Sequence, residues 1–272
     1  INKMDLIDYK KIKFENIKSE ILKLMEDYNW NPKLNFIPVS ALLGDNIISK
    51  SEKMMWYKGQ ALLPILENLK IVIDKGLDSF VQIQNVIRSK TKEMHEYRGF
   101  TGKVKSGFFS LGDEIEVFPS KIKTKIKSIE KFGQIKTMVY EGENATIILE
   151  DEIDVSRGNT FVKLNNNLKT GINIKAMVCW LQSDSLKQSS KYWLQHGVHK
   201  IQVRIDRIEF KMDWNSWGKI NSSSLDINDI GEIDLKLAEP IIYSPFAVNR
   251  NIGVFILIDP RTNNTAGVGF IK

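Results

Sequence analysis

The chain has 272 residues, 42% of them hydrophobic, and a formal net charge of +6, enough for about two domains with ordinary cores. Its single cysteine, Cys179, excludes an internal disulfide and a CxxC metal site and fits a reducing compartment. Purely apolar runs such as Val254 to Ile258 fall far short of the ~20 residues of a membrane span, so a cytoplasmic protein without membrane contact is expected.

The chain begins Ile1-Asn2-Lys3-Met4-Asp5, an apolar residue running into N-K-x-D. Further on, Phe36-Ile37-Pro38-Val39-Ser40-Ala41-Leu42 reads as a short apolar strand ending in S-A-L. Each motif is expected at a strand end, where open α/β sheets bind ligands. The chemistry suits guanine. A fixed carboxylate, Asp5, can accept from N1–H and the N2 amino group together, a charge-assisted bidentate contact. Adenine would leave that carboxylate unpaired, a mismatch that hydrogen-bonding sites reject strongly. Asn2 can hold the loop and reach the N7 edge. Lys3 can lay its methylene stem over the purine face. The Ala41 N–H is expected to donate to O6, with Ser40 pinning the loop and Leu42 beside it. The pair is similar to the base-reading loops of translation-type GTPases.

Between the motifs, Phe14, Ile17, Ile21, Leu24, Met25 and Tyr28 recur at helical spacing. Asp8 is the expected N-cap, and Asn29 to Pro32 is the expected end, because proline cannot continue the ladder. A second helix is predicted over about Gln60 to Leu69, with Pro64 in its first turn. The sequence contains no G-x-x-x-x-G-K-[ST] and no D-x-x-G to handle phosphate and magnesium. Residues 1–72 are therefore expected to be the C-terminal part of a P-loop GTPase α/β domain whose front is lost, and no catalytic residue is assigned.

From Phe80 the pattern changes to short alternating segments punctuated by Gly102, Gly107, Gly112, Gly133 and Gly142. Strands are predicted over Phe80 to Ile87, Phe100 to Val104, Glu114 to Val117, Lys121 to Ile129 and Asn144 to Leu149, forming a closed barrel or sandwich over 78–165. Lys121, Lys123, Lys125 and Lys127 alternate with Ile122, Thr124 and Ile126, which reads as a half-buried strand with its lysines in water. The net positive charge is accordingly assigned to solvated faces, and nucleic acid is not an expected partner. A second barrel is predicted over 170–272, with strands at Ile174 to Trp180, Val198 to Phe210, Gly231 to Leu237 and Gly253 to Ile258. His196 and His199 lack a third ligand, so no metal site is predicted. The six tryptophans are scattered and read as core or surface patches.

Tyr97-Arg98-Gly99-Phe100-Thr101-Gly102-Lys103-Val104-Lys105-Ser106-Gly107, followed by Leu111-Gly112-Asp113-Glu114-Ile115, resembles the second-domain barrel of elongation factor Tu and its relatives. Asp259 to Gly269 looks like the end of the third domain in that superfamily. Ser40 to Asn46 and Ser51 to Gly59 resemble two branches. One is the archaeal and eukaryotic elongation factor that delivers aminoacyl-tRNA. The other is the large, GTP-binding subunit of bacterial sulfate adenylyltransferase. Asp151-Glu152-Ile153-Asp154-Val155-Ser156-Arg157-Gly158, Arg204 to Ile208 and Gly231 to Leu235 are similar to the second branch. That resemblance implies a GTPase subunit that couples GTP hydrolysis to formation of adenosine 5′-phosphosulfate and pyrophosphate from ATP and sulfate. It implies GTP and Mg2+ as cofactors, and a small catalytic subunit as partner.

Overall fold

The computed structural model describes residues 1–27, 32, 34–69, 78–88, 97–214, 216 and 218–272. The chain divides into two compact units, Ile1–Val72 and Ile73–Lys272.

The first unit packs around Met4, Phe14 and Met54, with Phe36, Tyr9 and Trp56 against them. A 3-10 turn, Met4–Ile7, leads to α1 (Lys11–Asp27), and a second, Glu52–Met54, precedes α2 (Leu62–Glu67). Of the predicted apolar stripe on α1, Phe14 and Met25 are buried whereas Ile17, Ile21 and Leu24 stay exposed; Tyr28 and residues 29–31 of the predicted helix end lie outside the described residues. Asp8 does not cap α1. It closes the Met4–Ile7 turn in the left-handed region at φ 51°, and Tyr9 follows at φ 55°. Two consecutive left-handed residues reverse the chain before the helix starts, so the cap position falls beyond Asp8. The second helix is shorter than predicted, but Pro64 does lie in its first turn.

No strand forms among the described residues of this unit, contrary to the expectation that both motifs sit at strand ends. The two segments do run together: Val39 N–H donates to Ile1 O (2.9 Å) and Met4 N–H to Val39 O (3.2 Å). The pairing stops there because the chain turns helical at Met4.

The second unit holds two closed barrels. The first comprises β1 (Phe80–Arg88), β2 (Arg98–Ser106), β3 (Glu114–Phe118), β4 (Ile122–Lys131), β5 (Asn144–Leu149) and β6 (Thr160–Lys163). Its antiparallel ring runs β3-β6-β1-β2-β5-β4 and back to β3. The second comprises β7 (Lys169–Trp180), β8 (Lys191–His196), β9 (His199–Met212), β10 (Ile230–Tyr243), β11 (Val254–Ile258) and β12 (Thr265–Ile271). Its ring runs β8-β11-β12-β7-β10-β9 and back to β8. Closure removes the unpaired edges that an open sheet would expose, and it decides between barrel and sandwich.

Local sequence explains the strands. Along β4, Thr124, Ile126 and Ile129 are buried while Lys123, Lys125 and Lys127 face solvent. Gly102 allows β2 to approach β1, since a Cβ there would lie 2.3 Å from the Gln82 carbonyl oxygen. Gly112 turns the chain at φ 81°, and the Asp113 carboxylate accepts the Ser110 N–H (2.6 Å) across that turn. Each barrel has its own core, one around Ile83, Phe100 and Phe161, the other around Trp180, Leu194 and Phe255. Phe80, Phe118, Val162, Ile242 and Ile252 form a third cluster joining the two. There the buried Gln82 uses both ends of its amide: Nε2 donates to His196 O (3.0 Å) and Oε1 accepts from Val198 N–H (3.1 Å).

Candidate functional site

The two sequence motifs of the first unit come together. Ser40 is fully buried and its hydroxyl donates to Asp5 Oδ1 at 2.6 Å. Ser40 Oγ in turn accepts the Leu43 N–H (3.3 Å), so one serine both aims the carboxylate and closes its own loop. Asp5 Oδ2 takes no hydrogen bond among the described residues and stays free to accept. Asn2 Oδ1 accepts two main-chain donors, Lys3 N–H at 2.7 Å and Ala41 N–H at 3.0 Å. Asn2 thus stitches one loop to the other, and the Ala41 N–H points to Asn2 here. Lys3 adopts φ 65°, a left-handed conformation that turns the chain between Asn2 and the buried Met4. Lys3, Ala41 and Leu42 are exposed on the paired loops.

A second polar layer, which motif reading assigned no role, supports these loops. The Asp45 carboxylate accepts from Ser51 Oγ (2.7 Å), Tyr9 Oη (2.8 Å) and Lys53 Nζ (3.3 Å). The Ser51 hydroxyl, then Tyr9 and Lys53, hold this carboxyl below its usual range against the burial that would raise it. The main chain of Asp45 accepts the Ser40 N–H (3.1 Å), so the layer touches the residue that aims Asp5. Asn46 is buried at φ 57°; it donates to Pro38 O (2.9 Å) and accepts from Ser51 N–H (2.8 Å). The signal in the sequence was Gly44-Asp45-Asn46, where a glycine and an asparagine permit the left-handed turns that wrap this layer.

His196 and His199 are structural and pair across the β8–β9 hairpin. His196 is buried with Nε2 2.8 Å from Ile252 O, and burial pulls its pKa down. His95 lies outside the described residues. Among the described residues no group of three or more His, Cys, Asp or Glu gathers as metal ligands would, and no helix is long and apolar enough to cross a membrane. The segments that carried the family resemblance are also structural. Ile153 and Val155 are buried, Asp154 pairs with Arg98 (3.0 Å) and Asp151 accepts the Thr124 hydroxyl (2.8 Å). Buried Asp259 accepts the Arg261 N–H (2.7 Å) in the turn between β11 and β12.

Comparison with known proteins agrees with this architecture. The GTP-eEF1A C-terminal domain-like family matches residues 173–272. Sulfate adenylyltransferase subunit 1 of Aliivibrio fischeri (strain MJ11) is 38% identical over 100% of this chain and 56% of its own length. The protein of that name from Bacteroides thetaiotaomicron is 36% identical over 100% of this chain and 57% of its own. Over its whole length the chain is similar to sulfate adenylyltransferase subunit 1. It spans a little over half the length of those curated relatives. Two solved structures share its fold. Sup35 complexed with GDP superposes with a TM-score of 0.66 at 17% identity, covering 100% of this chain and 67% of that one. The S. cerevisiae Ski7 GTPase-like domain, bound to GDP and inorganic phosphate, superposes at 0.57 and 19% identity, covering 100% and 63%.

Proposed function

We propose that the chain is the guanine-reading end and the two barrels of a GTP-binding subunit of sulfate adenylyltransferase. Residues 1–72 complete the nucleotide domain, and 78–165 and 170–272 are its barrel domains. The observation that carries this reading is the 38% identity over the whole chain to a sulfate adenylyltransferase subunit 1. The aimed carboxylate of Asp5, tied to Ser40 at 2.6 Å, supports the choice of guanine. In this reading Asp5 accepts from the N1–H and N2 amino group of GTP. Lys3 and Leu42 flank the ring, Asn2 and Ser40 fix the loops, and the Ala41 N–H leaves Asn2 to donate to O6. Mg2+ belongs with the phosphates and takes no ligand from the residues named here.

The reaction is adenylyl transfer: a sulfate oxygen attacks the α-phosphorus of ATP, the bond to the β-phosphate breaks, and pyrophosphate leaves. A small subunit performs that step in the cytoplasm, while GTP hydrolysis drives it through two conformational states with different nucleotide contacts. An elongation factor delivering aminoacyl-tRNA shares the fold, and the whole-chain identity weighs against it. The test uses the full-length protein with the small subunit of the same organism. Sulfate- and ATP-dependent pyrophosphate release that rises with GTP is expected. Aminoacyl-tRNA binding with no GTP-dependent pyrophosphate release would overturn the proposal.

A further inference from the structure

The two motif loops are joined by more than the bond between Ser40 and Asp5. Four hydrogen bonds and the covalent chain form a closed circuit. The Ser40 hydroxyl donates to Asp5 Oδ1 (2.6 Å), and the Ser40 N–H donates to Asp45 O (3.1 Å). Asp45 Oδ2 accepts from the Tyr9 hydroxyl (2.8 Å), and the Tyr9 N–H donates to Met4 O (2.9 Å). Met4 precedes Asp5 in the chain, which completes the circuit. Lys53 Nζ reaches both partners of the Tyr9–Asp45 joint, Tyr9 Oη at 3.2 Å and Asp45 Oδ2 at 3.3 Å. Trp56 Nε1 donates to the Tyr9 carbonyl (3.0 Å) and holds that residue from its other side.

A closed circuit fixes a direction as well as a distance. The terminal torsion of an aspartate is soft, so the Ser40 hydroxyl stops the Asp5 carboxylate from turning only if Ser40 is itself held. Ser40 is held by Asp45, and Asp45 by Tyr9, Ser51 and Lys53. Guanine offers two adjacent donors, N1–H and the 2-amino group, and a bidentate contact to them needs both carboxylate oxygens at once. Asp5 Oδ1 keeps acceptor capacity beside its bond to Ser40. Hypoxanthine offers N1–H alone, and a carboxylate that has turned can still accept one donor. We propose that Tyr9, Asp45 and Lys53 are positioning residues that set selectivity for the 2-amino group of guanine, by locking the rotation of the Asp5 carboxylate. The proposal rests on the guanine reading above. The three side chains act through Ser40, not by touching the base.

The test is calorimetric binding of GTP and of ITP, the hypoxanthine nucleotide, in the presence of magnesium. It uses the full-length protein and its Tyr9→Phe and Lys53→Met variants, each of which removes a polar end and keeps the apolar body of the side chain. The wild type should prefer GTP over ITP at least ~10-fold, the scale of one charge-assisted hydrogen bond. In each variant that preference should fall at least ~3-fold, as expected for the loss of one neutral hydrogen bond behind the carboxylate, with GTP weakened and ITP little changed. An equal loss for both nucleotides would make these residues general supports of the loops and overturn the proposal. An unchanged preference in variants that melt cooperatively would overturn it too. The Lys53 side chain is 50% exposed, so Lys53→Met decides the matter if Tyr9→Phe fails to fold. A wild type that binds both nucleotides equally, or neither, would overturn the guanine reading along with the proposal.

Discussion

Each unit is stabilised internally by a different kind of interaction. The barrels rest on buried apolar side chains and closed ladders, and most of their polar contacts lie on the outside. The loops of the first unit rest on a few polar side chains: Asn2, Ser40 and Asp45 bond to residues far away in the chain, and Asn46 ties Pro38 to Ser51. Apolar packing is tolerant of detail but strong in sum, whereas a polar network holds individual atoms at set distances. A structural barrel suits the first arrangement. The proposed guanine site, which would aim a carboxylate at the edge of a base, suits the second.

Trp180 gives the largest contrast. It is fully buried and its Nε1 donates to Asp184 O at 2.7 Å. Trp180→Ala should cost about 3–5 kcal/mol, measured by denaturant melting of the barrels. A loss no larger than that of a single polar-loop deletion would break the contrast. Asp5→Asn should do the reverse. It replaces an acceptor with a donor toward the base and should cost the full-length protein about 1.5–3 kcal/mol of GTP affinity, in favour of xanthine nucleotides, with the barrels' melting unchanged. Calorimetry showing the same guanine preference would remove Asp5 from its role. Tyr9→Phe deletes one of the donors to Asp45 and should cost about 0.5–1.5 kcal/mol, visible as faster hydrogen exchange around residues 40–46.

Mild acid should have the smallest effect near neutrality, and it separates the units by pH window. His196 is kept neutral by burial, with its folded pKa below the unfolded one. The unfolded chain then binds more protons, so stability is lost as pH falls below the unfolded value of about 6.5. Asp45 has a folded pKa below its unfolded one. Its contribution is present above the unfolded value of about 3.9 and is lost only as pH falls through the folded one. Region-resolved hydrogen exchange should show the barrel junction loosening first on acidification. Simultaneous loosening of both regions would contradict this.

The alternation of Lys123, Thr124, Lys125 and Ile126 predicted which side chains of β4 point inward, because side-chain direction along a strand is a local property. That the Asn2–Asp5 and Ser40–Leu42 loops meet was legible because both are marked by short motifs. Asp8 was misread as a helix cap because the left-handed pair Asp8–Tyr9 leaves no local mark in residue type. The role of Asp45 was missed because its donors, Tyr9, Ser51 and Lys53, acquire meaning only when the chain folds back.

By itself, then, the sequence determined the barrel strands, the inward face of β4 and the residue types of the proposed site, all of which follow from short-range periodicity and side-chain chemistry. The tertiary structure decided the rest. It closed each ring through pairs distant in sequence, such as β1 with β6 and β7 with β12, buried His196 under Ile252 and tied Ala41 to Asn2. These outcomes depend on which distant groups satisfy one another's hydrogen bonds and apolar surface, and no local pattern records that.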